Sequence, residues 1–216
     1  MRKLLFLSTL VMLCASLAYA QDRPGPEFFA GYSFESMDSG IKNSDFAGTS
    51  IPTTSLEQRY KLNGFNVSGT GYLTKRFGLT GDFSAGFERR IDTFGTLQTR
   101  AKFSVYNITA GPQVKFFNDR RATPFVHALF GVARRSLKET LDVAVAAPIT
   151  FAEDTTTSFA MNLGGGIDVR LNDRVDFRLI QVDYNPIFLK SRIVEGVNFP
   201  GRTAHGLRFS IGLVIK

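Results

Sequence analysis

Tryptophan is absent from the 216 residues, cysteine occurs once and histidine only twice. With Cys14 as the sole thiol, an internal disulfide, a redox pair and a cysteine-based zinc centre are all excluded. Two histidines without cysteines also fall short of the four ligands of a structural zinc site. Long hydrophobic runs are lacking as well. The one candidate, Leu4 to Leu17, is shorter than the roughly 20 residues a membrane-spanning helix requires. A helical membrane protein is thereby ruled out, and any crossing of a bilayer has to be made by strands.

What stands in place of these is 21 Phe and 20 Gly, in a chain that is 44% hydrophobic and 21% charged. Glycine weakens helices and phenylalanine suits pleated surfaces, so the composition points to an all-β domain. Residues 1–20 read as a cleaved export signal: Arg2 and Lys3 open it, an apolar stretch follows, and Ala18-Tyr19-Ala20 is a small-x-small cleavage site. The residues before Cys14, Val11-Met12-Leu13, lack the small neighbour of a lipidated cysteine. The mature domain is then 21–216. Without Arg2 and Lys3 the basic count falls from 26 to 24 against 19 acids, a net charge of +5. The basic pairs Lys75-Arg76, Arg89-Arg90, Arg120-Arg121 and Arg134-Arg135 are scattered at segment ends. They suit turns, rims and the phosphates of anionic lipid headgroups better than nucleic acid, which is not an expected partner.

From Glu27 onward the hydrophobic pattern repeats every two residues, the period of strands with unlike faces. Phe28, Ala30, Tyr32 and Phe34 oppose Glu27, Gly31, Ser33 and Glu35. Phe77, Leu79, Phe83, Ala85 and Phe87 oppose Thr80, Asp82, Ser84 and Glu88. Eight such runs can be traced to the last, where Leu207, Phe209, Ile211, Leu213 and Ile215 oppose Arg208, Ser210 and Gly212. The fourth run shows Phe103 and Val105 out of phase with Tyr106 and Ile108, which implies a bulge near Ser104 to Val105. The fifth, Phe125 to Ala133, is apolar on both faces. The seventh slips phase between Leu179 and Ile180. Connections alternate between short, near Thr74 to Arg76, Asn118 to Ala122 and Asn172-Asp173, and long, from Ser36 to Lys61, Arg89 to Arg100, Arg135 to Thr157 and Asn185 to Thr203.

Alternation does not say which face is outside, but volume does. The interior of an eight-stranded barrel is only wide enough to be filled by side chains, and the rings of the apolar face would overfill it. The other face, mostly Gly, Ser, Thr and Asn with charges of both signs, suits a filled polar lumen. The expected set of mutually satisfied lumen charges is Asp82, Glu88, Lys115, Asp168, Arg170, Asp176, Arg178, Asp183 and Arg208. Such a network plugs a barrel rather than forming a diffusion pore.

The opening strand Phe28-Phe29-Ala30-Gly31-Tyr32-Ser33-Phe34, four cycles of short turn and long loop, and the closing Gly206-Leu207-Arg208-Phe209-Ser210-Ile211-Gly212-Leu213-Val214-Ile215 resemble the small outer-membrane β-barrel family. That family includes the transmembrane domain of outer-membrane protein A and the opacity-type surface antigens. The resemblance implies an eight-stranded antiparallel up-and-down transmembrane β-barrel, monomeric, with short periplasmic turns and long extracellular loops. It also implies insertion into the outer membrane by the barrel-assembly machinery. Such proteins usually end in an aromatic residue, whereas this chain ends Val214-Ile215-Lys216.

Catalytic constellations are sparse. No serine stands two residues after His127, as a lipid-deacylating barrel would require, and His205 lies at the loop end of the last strand. Gly164-Gly165-Gly166 precedes no helix and is not a phosphate loop. No catalytic, metal or cofactor residues are expected. The expected role is non-enzymatic, with the loops serving surface contact, adhesion or envelope integrity, including contact with an extracellular ligand. The rival readings are a barrel enzyme acting on envelope lipids and a soluble exported barrel binding an apolar ligand.

Overall fold

The computed structural model describes residues 25–38, 40, 59–94, 97–116, 121–143, 149–194 and 197–216. The export segment at 1–20 and most of the first long connection lie outside the described residues. The strands are β1 (Glu27–Asp38), β2 (Arg59–Tyr72), β3 (Phe77–Phe94), β4 (Leu97–Lys115), β5 (Ala122–Val143), β6 (Ile149–Arg170), β7 (Val175–Leu189), β8 (Arg192–Val194), β9 (Val197–Phe199) and β10 (Arg202–Ile215). Eight of them close a barrel in the order β1, β10, β7, β6, β5, β4, β3, β2. Every pairing is antiparallel, and β8 and β9 form a separate small hairpin between β7 and β10.

Local chemistry explains the tight turns. Asn172 Oδ1 accepts the backbone N–H groups of Arg174 and Val175 at 2.9 and 2.8 Å, and Thr74 Oγ1 accepts that of Phe77 at 3.0 Å. Both are side-chain mimics of a backbone turn. The barrel wall demands glycine where strands approach closely: a Cβ on Gly64 would sit 1.8 Å from the Ala85 carbonyl oxygen. Gly31 and Gly212 face one another across the β1–β10 seam, where a Cβ on Gly31 would lie 2.2 Å from the Ile211 oxygen.

The apolar face is outside on all eight barrel strands, from Phe28 (60% exposed) through Leu79, Ile108, Val132, Leu163 and Leu179 to Ile211. Closure leaves no open edge within this belt, as a bilayer requires. The soluble carrier, which needs the opposite orientation, is overturned by this belt.

Two sequence expectations change. No bulge interrupts the strand near Ser104: the β3–β4 and β4–β5 registers run unbroken through Phe103, Ser104, Val105 and Tyr106. Phe103 and Val105 instead point inward in phase with Asn107 and are buried, because the lumen is itself apolar at that height. In the fifth run Phe125, Leu129 and Ala133 face in and Val126, Phe130 and Val132 face out, so β5 carries apolar side chains on both faces, Ala133 in the loop-side cluster and Phe125 against the Arg178 guanidinium. The slip in β7 is present: the β6 register passes from Ile180 to Arg178, leaving Leu179 bulged, and both Leu179 and Ile180 face outward.

The second change concerns length. β1, β2, β7 and β10 have 12 to 15 residues, close to what a tilted strand needs to cross a bilayer, whereas β3 to β6 have 18, 19, 22 and 22. Much of Arg89 to Arg100 and Arg135 to Thr157 is therefore paired strand, with register contacts reaching Phe94↔Leu97, Leu97↔Val143 and Leu141↔Ile149. At about 3.3 Å per residue and the tilt of a barrel strand, the longest pair rises roughly 25 Å beyond the membrane.

Candidate functional site

Inward-facing side chains fill the barrel in three tiers. At the turn end, Lys115 on β4 donates to Glu27 Oε1 at 2.7 Å and lies 3.9 Å from Asp168 on β6. Tyr72 O–H donates to Glu27 at 2.9 Å, and Gln113 Nε2 donates to the Tyr72 oxygen at 3.1 Å. Arg178 on β7 grips Asp168 with two hydrogen bonds, at 2.8 and 3.1 Å. Its guanidinium is sandwiched between the rings of Phe29 and Phe125, 4.3 and 4.2 Å from their centroids. The bidentate geometry and the flat cation between two π faces both demand arginine rather than lysine.

Gln181 joins this tier to the middle one by accepting from Arg178 and donating to Asp183, both at 2.7 Å. The bulge at Leu179 is what makes this possible, because it brings Arg178 and Gln181 onto the same inner face although they are three residues apart. At the centre, fully buried Arg208 on β10 donates to Asp183 through Nε at 3.0 Å and Nη2 at 2.6 Å. It also reaches Asp82 on β3 at 3.2 Å. Asp82 further accepts from Asn66 at 2.6 Å and Asn162 at 3.2 Å, and Asp183 is 2.9 Å from His127 Nε2. Glu35 on β1 accepts from Asn185 at 3.1 Å.

The loop-side tier is apolar. Met37, Leu62, Phe103, Val105, Ala133, Ala160, Ile187 and Ala204 pack together across the lumen, with Tyr60, Leu137 and Leu189 against them. Tyr60 stacks on Phe103 at 4.0 Å, with the guanidinium of Arg90 over Tyr60 at 5.4 Å and that of Arg135 over Phe103 at 5.1 Å.

Of the charges expected in the lumen, Asp82, Lys115, Asp168, Arg178, Asp183 and Arg208 are brought into this connected system. Asp176 is buried beside them and pairs with Lys216 at 2.8 Å. Two are placed elsewhere. Glu88 sits at the loop-side rim, where it accepts from Arg90 and from the Lys61 backbone, each at 2.6 Å. Arg170 lies exposed at the turn end, opposite Asp176 in the β6–β7 register. Sequence reasoning did not join Glu27, Glu35 and His127 to the set. The signal for the first two was available, since both share the polar phase of β1 with Ser33. His127 was hidden in the ambiguous fifth run. His205 faces outward, hydrogen-bonded to the Tyr184 hydroxyl and stacked on its ring. Among the described residues, no group of three His, Cys, Asp or Glu side chains is arranged to hold a metal ion.

With a closed barrel, an apolar exterior and a packed lumen established, the sequence comparison is decisive: residues 6–213 match the family described as the outer membrane protein beta-barrel domain. The chain belongs to that family. It is accordingly an outer-membrane protein. No curated protein matches it in sequence. Among solved structures it is similar to Neisserial surface protein A, at 14% identity and a TM-score of 0.55, covering 89% of this chain and 97% of that one. It is also similar to the outer membrane protease OmpT from Escherichia coli, at 7% identity and 0.53, covering 88% and 96%. At such identities these likenesses speak for the fold alone.

Proposed function

We propose that this outer-membrane barrel is a non-enzymatic, non-conducting surface protein whose working part is the sheet of β3 to β6 standing above the outer leaflet. The observation that carries the reading is the combination of a lumen occupied by buried, cross-linked side chains with four strands far longer than the membrane demands. The polar tiers are held by charge-assisted hydrogen bonds and the loop-side tier is packed with apolar side chains, an arrangement that favours a plugged barrel over a diffusion pore. Strand length beyond the bilayer serves contact outside it. The protruding sheet is held by cross-strand hydrogen bonding and so offers a rigid surface, suited to adhesion or to an extracellular ligand. Monomeric insertion by the barrel-assembly machinery belongs to the same reading.

The arrangement of the histidines supports it against a lipid-modifying barrel. His127 is turned into the lumen, away from any lipid, and the outward His205 is engaged by Tyr184.

Shortening the two hairpins, with Arg89–Arg100 and Ser136–Thr156 each replaced by a tight turn, tests the reading. The shortened protein is expected to insert and to keep a heat-dependent mobility shift, while whole cells lose surface contact. Solute efflux from liposomes carrying the intact protein would overturn the non-conducting claim. An envelope-lipid modification abolished by His127→Ala or His205→Ala would overturn the non-enzymatic one.

A further inference from the structure

One row of the outer wall is built around small residues. Five outward positions stand side by side across β1 to β5: Phe28 is opposite Gly69, Gly69 opposite Gly81, Gly81 opposite Ala110, and Ala110 opposite Phe130. The ends of the row are large and exposed, while its centre, on three successive strands, carries nothing bigger than a methyl group. One outward step towards the loops, the same three strands carry Val67, Phe83 and Ile108. One step towards the turns they carry Gly71, Leu79 and Pro112. The wall is therefore hollowed into a trough of about 780 Å³, a volume typical of sites for small molecules. Neighbouring side chains do not fold over to fill it. A Cβ on Gly71 or Gly81 would meet nothing within 4 Å, and one on Gly69 would meet only the Phe28 ring, at 3.5 Å.

The trough has a direction. Val67, Phe83 and Ile108 close it on the loop side, and Phe28 and Phe130 bound it laterally. Through Gly71 it stays open towards the turn that joins β2 and β3. Its floor is about 10 Å wide across three strands and lengthens by about 7 Å for each outward step along β2. The outer-membrane location puts hydrocarbon against this wall. Water is a poor occupant, because a bound water needs two to four polar partners and the lining here is apolar. Left empty, the lining would lose its contacts on one side. A second copy of the barrel fits less well than a lipid tail, since a floor about 10 Å wide is a small part of the ~1,200 Å² that a stable protein pair buries.

We infer that this trough seats one acyl chain of a phospholipid. The chain enters from the turn end and its terminal methyl abuts Val67, Phe83 and Ile108. Enclosure on three sides sets it apart from the tails that merely slide past the rest of the belt, and makes it a resident of the barrel rather than a neighbour. This rests on the outer-membrane location and not on the role of the protruding sheet.

Native mass spectrometry tests it on the full barrel, extracted by detergent from vesicles of dipalmitoyl phosphatidylethanolamine. The wild type should carry one phospholipid through extraction. Leucines at Gly69 and Gly81 fill the floor from the membrane side, so G69L/G81L should retain about tenfold less, the discrimination of an apolar pocket against one misfitting group. Ile211→Phe, outward on β10 and outside the trough, should leave retention unchanged. Should the double variant fail to show the heat-dependent mobility shift, G81L alone must lower retention severalfold. A phospholipid carrying a diazirine at the end of its tail should label Phe83 or Ile108 in preference to Leu79, and the reverse order overturns the proposed direction. Equal retention by G69L/G81L overturns the inference. So does a spectrum of paired barrels, which would make the trough a contact between copies. Displacement of the phospholipid by equimolar dodecane also overturns it, since the trough would then be a site for small apolar solutes.

Discussion

Replacing Arg208 by methionine is the most informative perturbation of the lumen. The side chain is fully buried and bridges two carboxylates, those of Asp82 and Asp183, which are themselves at most 4% exposed. Methionine keeps much of the volume but leaves both acids without their cation. Asp82 retains Asn66 and Asn162, and Asp183 retains His127 and Gln181, so the loss is not the full cost of two bare charges. Breaking a buried pair from one side costs about 3–5 kcal/mol, and that is the expected destabilisation. The same physics makes a second claim with the opposite sign. Asp82→Asn and Asp183→Asn added to Arg208→Met should restore part of that loss, because two of the three acids facing the arginine are then neutral and only Glu35, opposite Arg208 across the β1–β10 seam, keeps its charge. Urea unfolding of barrels refolded into vesicles, followed by unboiled gel mobility and far-ultraviolet circular dichroism, measures both. A single variant within about 1 kcal/mol of the wild type would refute the reasoning. So would a triple variant less stable than the single one.

Other predictions follow from the same geometry. Phe103→Ala removes the ring stacked on Tyr60 and should cost about 3–5 kcal/mol, read by the same urea titration. Gly131→Ala would place a Cβ 2.0 Å from the Ile108 oxygen and should cost about 1–3 kcal/mol in thermal or urea unfolding. Gly71→Ala meets nothing within 4 Å and should be neutral or stabilising by up to about 1 kcal/mol. Arg178→Lys keeps the charge but loses the bidentate grip on Asp168 and the stacking between Phe29 and Phe125. It should cost about 1–3 kcal/mol by urea unfolding, and a neutral result would show that those contacts are incidental.

The barrel was legible in the sequence because a bilayer-facing surface enforces alternation on every strand, from Phe28 to Ile215. Even the slip at Leu179 could be read, since a single extra residue reverses the phase of everything after it. The apolar loop-side tier was not legible. Phe103 and Val105 looked out of phase only under the assumption that apolar residues face lipid, and Phe125 and Leu129 blurred the fifth run for the same reason. The lumen charges could be assigned to a face but not to partners. Glu27 meets Lys115 across 88 positions of sequence, and Glu35 meets Asn185 across 150, so those pairings exist only once the register of the closed barrel is set. Strand overshoot was missed because the polar residues of Arg135 to Thr157 resemble loop composition while pairing as strand.

Those sequence separations also order events in time. Arg208 holds Asp82 from 126 positions away, and Glu27 and Glu35 on the first strand find their partners on β4 and β7. The Arg208–Asp82 and Glu35–Asn185 bonds join strands that become neighbours across the barrel only when β1 meets β10. Contacts that reward the chain only after its ends have met contribute little to the barrier on the way in and much to the barrier on the way out. The network therefore acts as a latch: it scarcely alters the rate at which the seam shuts, and it slows release once the seam has shut.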